Sequence, residues 1–594
     1  MSAHDDDVVG KAYDSRLMKR LLKYLRPYKG QVLVALAAII TDSVLQLAPP
    51  YLTRLAIDRY IAHGDLQGLS GLALAYLAVL IVGFGLEYLQ TYVMQLTGQR
   101  IMYDLRMEMY DHLQRLDLRF YDRNPVGRLM TRVTSDVDVL NDLFTSGVVA
   151  VFGDVFTLAG IMIVMLGMSW KLALASFVVL PLIVLVTQWF RRHVRESYRV
   201  VRGLIARINA FLQENLTGMT TVQLFRREPR NFAQFDDINR AHRDANIDSI
   251  FYYAVFYPAI EIVGALAASI IIWFGGLQVM AGALTLGVLV AFLQYSARFY
   301  RPISDMSEKF NILQAAMASS ERIFALLDTP VAITSPATPV VPGAPLAAHI
   351  VFDHVWFAYN GEEWVLKDVS FEVRPGQRVG LVGATGSGKT TIISLLLRFY
   401  DVQRGRILVD GIDIRELDLL TLRRLFALVL QDVHLFSGTI GENIRLGDAS
   451  IDDTAVRRAA VAVRAGRFID ALDLGYDAPV AERGATLSTG QKQLLSFARA
   501  LAFDRRVLIL DEATSSVDTE TEHTIQDALG VLMAGRTTLA VAHRLSTIQD
   551  MDRILVLHKG VLREAGTHQE LLALRGIYFR LYLLQFKDAV PKSA

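Results

Sequence analysis

Residues 379–390 read Val-Gly-Leu-Val-Gly-Ala-Thr-Gly-Ser-Gly-Lys-Thr, and this stretch decides the fold of the C-terminal half. An apolar run leads into Gly383, the pattern G-x-x-x-x-G-K-T runs to Thr390, and Ile392–Leu397 continues as a helix. A strand, a glycine loop and a helix start in that order wrap a triphosphate. The glycines let backbone N–H groups turn inward onto phosphate oxygens. Lys389 reaches the β- and γ-phosphates, and Thr390 offers its hydroxyl to Mg²⁺. The expected ATP-binding residues here are Gly383, Thr385, Gly386, Ser387, Gly388, Lys389, Thr390 and Thr391.

A second signature follows at Val507-Leu508-Ile509-Leu510-Asp511-Glu512, an apolar strand ending in two acids. Asp511 is suited to binding Mg²⁺, and Glu512, one residue on, to polarising the attacking water. An apolar strand ending in acids is weak evidence alone; paired with the glycine loop it is strong.

The chain has 594 residues, which implies several domains. Its net charge of +1 gives no case for nucleic acid as a partner. No cysteine is present, which excludes a disulfide framework, a thiolate metal site and a cysteine nucleophile. The polar, charged N-terminus does not read as a cleavable signal peptide. Hydrophobic residues make up 52% and the mean hydropathy is +0.32, with the excess concentrated in the first half.

A spanning helix needs about 20 mostly apolar residues. Six candidates lie near Gln31–Leu55, Leu69–Gln95, Ser146–Met168, Leu172–Phe190, Tyr252–Leu277 and Leu284–Arg298. The connections 58–68, 169–171 and 278–285 are short and nearly free of positive charge, whereas 96–145 and 191–251 are long, charged and helical in period. Positive charge therefore places the N-terminus and both long segments in the cytosol. Six passes return the chain there, where the phosphate loop meets ATP. Residues 15–29 form a basic amphipathic stretch expected in the headgroup layer. Asp42, Glu87, Asp154, Glu261 and Arg298 fall within or near the spans, where each needs a partner or a watery path. The long segments are expected to carry short helices, around Asp136–Phe144 and Glu214–Glu228, that touch the ATP domain. Residues 329–347, rich in Pro, Ala and Thr, read as a linker.

Between the two nucleotide motifs, Leu487-Ser488-Thr489-Gly490-Gln491 resembles the signature of ATP-binding cassette (ABC) proteins. The resemblance implies further roles. Tyr359 is similar to the aromatic that stacks on adenine, and Gln431 to the glutamine that contacts Mg²⁺ and faces the membrane domain. Ser515-Ser516-Val517-Asp518 resembles the loop crossing to the opposing cassette, and His543 the switch histidine at the γ-phosphate. Glu482-Arg483-Gly484 resembles the exporter loop ahead of the signature, although Ala481 stands where many relatives have Gly.

With six spans ahead of the cassette, nearly the whole chain resembles an ABC half-transporter of the exporter type. The expected fold is multidomain: an all-α six-helix transmembrane domain, then an α/β P-loop NTPase. Its parts are an N-terminal region 1–30, a membrane domain 31–328, a linker 329–347, a cassette 348–587 and a tail 588–594. The resemblance implies ATP and Mg²⁺ as cofactors, a second half-transporter chain, the lipid bilayer and a hydrophobic or amphiphilic cargo. It places the protein in the cytoplasmic membrane of a prokaryote. Fusion of spans to cassette argues against a DNA-repair ATPase and against an importer. An ATP-gated channel and a homodimeric lipid or peptide exporter are the alternatives.

The signature departs from the common L-S-G-G-Q at Thr489. In the family, this signature closes on the triphosphate held by the other cassette, with Ser488, Gly490 and Gln491 beside it. A β-branched residue loses easy access to φ > 0 and adds bulk, so the site it completes is expected to hydrolyse weakly. Lys389, Thr390, Asp511, Glu512 and His543 are all intact. That combination resembles one subunit of a heterodimer whose partner has a standard signature and an impaired Walker B acid.

Overall fold

The structure is a computed structural model describing residues 14–343, 345–511, 519–541 and 548–586. Glu512, Asp518 and His543 lie outside the described residues. The chain divides into two units: Met1–Gln114 with Pro125–Thr329, and Arg115–Asn124 with Pro330–Ala594.

The first unit is helical. It begins with α1 (Ser15–Tyr24), capped by Asp14, whose carboxylate accepts from Arg16 N–H at 2.7 Å. Then come α2 (Lys29–Leu45) and α3 (Ala48–Leu55), with Pro49 and Pro50 in the first turn of α3, where a missing N–H costs nothing. α4 (Leu66–Arg115) has 50 residues, and none of its most apolar stretch is buried. Such a surface is stable only against lipid or a second chain. α5 (Leu118–Arg123) belongs to the second unit. α6 (Val126–Val133), α7 (Ser135–Asp142), α8 (Val148–Met168), α9 (Trp170–Phe177) and α10 (Leu180–Thr217) follow. α11 (Met219–Leu224), α12 (Glu228–Met280) and α13 (Leu286–Leu327) complete the set.

Five helical stretches are long and apolar enough to cross a membrane among the described residues: Arg26–Ile61, Leu66–Arg115, Val151–Met168, Trp170–Thr217 and Glu228–Met280. The sixth expected span is the shorter apolar part of α13, Leu286–Phe299. Asp58 ties the outer ends together: it accepts from Thr285 Oγ1 at 2.5 Å and from Gly287 N–H at 2.8 Å.

The polar residues near the spans are mostly engaged by neighbouring helix groups. Asp154 of α8 pairs with Lys309 of α13. Arg298 donates to the Gln46 carbonyl at 2.6 Å, and Asp42 accepts from Gln46 Nε2 at 2.7 Å. Glu87 and Glu261 are exposed. α1 is also held by protein: Arg20 binds both oxygens of Asp328, at 2.6 and 2.7 Å, and lies 4.1 Å from the Phe324 ring centre.

The second unit holds the sheets. β1 (Ile350–Ala358), β2 (Trp364–Val373), β4 (Arg404–Val409) and β5 (Ile412–Asp413) form an antiparallel layer in the order β2-β1-β4-β5. β3 (Arg378–Val382), β6 (Phe426–Val429), β9 (Val507–Asp511), β10 (Thr537–Val541), β11 (Arg553–His558) and β12 (Val561–Gly566) form the other, ordered β12-β11-β3-β10-β9-β6. β7 (Gly438–Thr439) pairs with β8 (Pro479–Val480). The strands β3, β6, β9, β10 and β11 are mutually parallel, and β9 and β10 are buried along their whole length. That is why they read as unbroken apolar runs. α14 (Lys389–Leu396) follows β3, then come α15 (Leu419–Arg423), α16 (Ile440–Arg445), α17 (Asp453–Ala462) and α18 (Gly466–Asp470), and α19 (Thr489–Ala502) precedes β9.

The Pro-rich stretch is held on this unit. Ser335 Oγ donates to Asp418 Oδ1 at 2.8 Å, Val340 N–H donates to the Glu416 carbonyl at 2.9 Å, and Leu346 is buried in its core.

Candidate nucleotide site

Parallel strands aim their carboxyl ends the same way, and ligands of open α/β sheets bind beyond those ends. Register pairs Val541 of β10 with Leu381 of β3 and with Asp511 of β9, while Val429 of β6 pairs with Leu510. One sheet edge therefore carries the glycine loop after β3, Asp511 at the end of β9, and Gln431 two residues past β6. His543 follows β10 by two positions in sequence but lies outside the described residues.

The loop has the conformation its glycines permit. Gly386 and Gly388 have φ of +79° and +104°. A Cβ on Gly383 would sit 2.3 Å from the Leu557 carbonyl oxygen, and one on Gly388 2.5 Å from a Leu366 methyl. Lys389 Nζ donates to the carbonyls of Gly383 and Ala384 at 2.8 and 3.1 Å, arching over the loop. Burial pushes its ammonium below the ordinary lysine value, against the opposing pull of Asp511. The Ser387 hydroxyl is buried and has no hydrogen-bond partner among the described residues, an acceptor-hungry group inside the loop.

Thr390 Oγ1 donates to Asp511 Oδ2 at 3.4 Å, so the hydroxyl and carboxylate suited to one hard cation meet. Asp511 is buried. Gln431 is exposed beside this edge. Tyr359, just after β1, bonds through its hydroxyl with Thr391 Oγ1 at 3.2 Å, which brings the aromatic to the start of α14. The loop and these side chains fit a triphosphate with Mg²⁺.

The signature residues sit at the start of α19. Ser488 and Gln491 form a reciprocal capping box: Ser488 Oγ accepts from Gln491 N–H at 3.3 Å, and Gln491 Oε1 accepts from Ser488 N–H at 2.9 Å. Thr489 is the first residue of the helix, exposed, and not among the positive-φ residues. The expectation that position 489 needs the left-handed region is therefore corrected. A helical first turn accepts Thr, so only its bulk distinguishes it from Gly. Gly490 is buried beneath it. In the preceding loop, Arg483 and Gly484 have φ of +54° and +64°.

Two further groups carry no local sequence signal. Gln493, one turn into α19, has a buried Oε1 with no hydrogen-bond partner among the described residues and shares a small cavity with Asp511. α5 supplies the other: Tyr400 donates to Asp122, and Arg123 Nη2 donates to Asn360 Oδ1 at 3.2 Å. Leu118–Arg123 is thus a short helix of the first long segment that is grouped with the cassette, while Asp136–Phe144 is grouped with the first unit. Asp136 is instead buried against α13, accepting from Arg322 Nε at 2.9 Å and Ser319 Oγ at 3.0 Å. α11, within the second expected stretch, is grouped with the first unit.

Comparison with known proteins gives two family matches. The family described as ABC transporter transmembrane region matches residues 32–303, and that described as ABC transporter matches residues 366–515. The chain is 39% identical to YknV, an ABC transporter ATP-binding protein of Bacillus subtilis, over 98% of this chain and 97% of that protein. It is 36% identical to the ATP-dependent lipid A-core flippase of Syntrophus aciditrophicus, over 96% and 95%. It is 38% identical to YheH, a probable multidrug resistance ABC transporter ATP-binding/permease protein of Bacillus subtilis, over 88% and 77%. Among solved structures, a bacterial Atm1-family ABC exporter with ATP bound superposes with a TM-score of 0.78 at 29% identity, covering 96% of this chain and 99% of that one.

Proposed function

The chain belongs to the ABC transporters of the exporter type, with a membrane domain fused to one cassette, and we propose that it uses ATP to export a hydrophobic or amphiphilic molecule. The reading is carried by the sheet edge that gathers Lys389, Thr390 and Asp511 in a chain that also carries membrane-spanning helices. The N-terminus and cassette face the cytosol in this reading, with the spans in the inner membrane of a prokaryote. The basic charge of the N-terminus and of both long segments supports that orientation.

ATP with Mg²⁺ supplies the phosphoanhydride whose cleavage drives the cycle. This chain's part is positioning and charge stabilisation. The loop N–H groups and Lys389 hold the phosphates, Ser387 finds its missing acceptor there, and Thr390 with Asp511 holds the metal. Tyr359 offers a face to adenine, Gln431 approaches the metal, Glu512 orients water, and His543 contacts the γ-phosphate. Ser488, Thr489, Gly490 and Gln491 face the nucleotide of the opposing cassette, and Asp518 reaches across the dimer.

The dimer we propose pairs this chain with a different half-transporter whose Walker B acid is impaired. Support comes from an intact nucleotide half-site beside the bulky Thr489. A homodimer is the second reading, favoured by the helical backbone at Thr489, which Thr adopts without strain.

The test is ATP-dependent accumulation of a fluorescent amphiphile in inverted vesicles containing the protein. Accumulation that requires Lys389 supports export. ATP-gated ion conductance without accumulation would replace export by a channel.

A further inference from the structure

α10 carries five arginines just past its apolar stretch: Arg191, Arg192, Arg195, Arg199 and Arg202. At about 100° per residue they fall within an arc of about 100°, and the row from Arg191 to Arg202 rises about 16 Å. The opposite side of the same segment is packed against α12. Phe190 stacks on Phe256 with ring centres 4.0 Å apart, Ser197 Oγ bonds Ser249 Oγ at 2.6 Å, and Val194 is buried. The arginine face is centred about 140° away from that seam.

All five arginines are exposed, and none takes part in an ion pair among the described residues. Glu196, the only acid in this stretch, falls just outside the arc. The upper end of the row turns toward α13, where the Arg191 guanidinium lies 4.0 Å from the Phe310 ring centre. A basic cytosolic segment needs only positive charge to orient a membrane protein. That requirement does not align the charges on one face, nor does it select guanidinium over ammonium at every position. Guanidinium forks match the paired oxygens of phosphate and carboxylate.

We propose that this row binds the anionic headgroup, phosphate or carboxylate, of an amphiphile whose tail lies along the apolar run 180–190 of the same helix. The apolar run and the arginines are contiguous, so one molecule spans both. Calling that amphiphile the cargo rests on the export reading above; the binding site itself does not.

The test uses the full-length protein in phosphatidylcholine nanodiscs, with empty nanodiscs subtracted. Dodecyl phosphate, dodecyl trimethylammonium and inorganic phosphate are titrated in turn. Arg195→Gln should weaken dodecyl phosphate about tenfold, the loss expected for one charged fork. Arg195→Lys should recover part of it. Arg207→Gln removes an exposed arginine from a different face of α10 and should leave binding unchanged. Equal weakening by Arg207→Gln would reduce the effect to plain surface charge and overturn the site. Equal affinity for the trimethylammonium probe would overturn the headgroup assignment. Inorganic phosphate binding as tightly as dodecyl phosphate would make the ligand a free anion and overturn the amphiphile. Dodecyl phosphate binding that depends on Arg195, without any ATP-driven transport, would sink the export reading and leave the site standing. Transport that persists unchanged for dodecyl phosphate in Arg195→Gln would sink the site and leave export standing.

Discussion

The Tyr400 hydroxyl donates to the Asp122 carboxylate, joining positions 278 residues apart in the sequence. Tyr400 in turn meets the edge of Tyr359 at 5.2 Å between ring centres and 89° between planes. Burial first, then the bond to Asp122, pushes the Tyr400 phenol above its ordinary value, so it stays a donor throughout the physiological range. The helix α5 thus grips the aromatic beside the nucleotide loop. Tyr400→Phe should cost about 1.5–3 kcal/mol of that grip, the range for a hydrogen bond to a charged group. Basal ATP hydrolysis should survive, and its stimulation by cargo should fall. Parallel loss of basal and stimulated rates would confine the pair to cassette stability.

The glycines of the phosphate loop are not equivalent. Gly383→Ala forces a Cβ to 2.3 Å from a backbone oxygen, whereas Gly386 has open space and only its φ of +79° to protect. Gly386→Ala should cost about 1 kcal/mol of backbone strain. Gly383→Ala should displace the loop and abolish nucleotide binding. Binding of a fluorescent ATP analogue to both variants ranks them, and equal affinities would contradict the geometry.

Lys389 makes nucleotide affinity depend on pH. Its folded pKa is lowered by burial. The charged amine is therefore disfavoured in the folded chain, and the stability contributed by the neutral amine is lost as pH falls from the ordinary lysine value through the lowered folded one. Bound phosphates favour the charged form, so binding takes up a proton once the free amine begins to lose it. ATP affinity should fall as pH rises through the lowered folded value, short of the ordinary lysine titration. Lys389→Met should bind weakly with no such alkaline limb. Affinity measured from about pH 7 to 10 checks this, and a limb retained in the methionine variant assigns it to another group.

What the sequence made legible was local. The glycine loop, its strand and its helix lie within 19 residues, 378–396, so a local pattern was enough to read strand, loop and helix in that order. The buried strand 507–511 announced itself by an unbroken apolar run. The contacts of Asp122 with Tyr400 and of Asp136 with Arg322 link residues 278 and 186 positions apart, and no local pattern encodes such pairings. The arginine partner of Asp136 lies on another helix, so nothing in the charged segment around it points to a buried pair. Position 489 was misjudged for a different reason. Gly in the common motif suggested a left-handed backbone, but Gly also serves where a close surface approach needs no side chain.

Glu512 follows the buried Asp511, the last residue of β9, by one position in the sequence. Substituting Gln keeps the size and removes the charge that orients and polarises water. Glu512→Gln should lower turnover by about 10²-fold or more, the scale of a general base, with ATP binding retained. Trapped nucleotide measured by filter binding, alongside phosphate release, separates the two steps. Normal phosphate release in this variant would move the base elsewhere, with Gln431 and His543 the remaining groups for the role.

Thr489 decides between the two dimers. Its backbone is the first turn of α19, and its N–H remains available to an anion as a helix-start donor. The β-branched bulk is the only impediment left: a hydroxyl and a methyl now stand on the surface where an opposing triphosphate would approach. In a homodimer both sites carry and tolerate this residue, so the purified chain should turn over robustly and Thr489→Gly should change its rate little. In a heterodimer the purified chain should hydrolyse weakly, and Thr489→Gly alone should rescue it, because the Glu512 and Lys389 of each copy then face an unobstructed signature. Addition of the proper partner should give the same gain without the substitution. Robust turnover of the unsubstituted chain by itself, unchanged by Thr489→Gly, would show that the threonine obstructs nothing and would remove the case for a second kind of subunit.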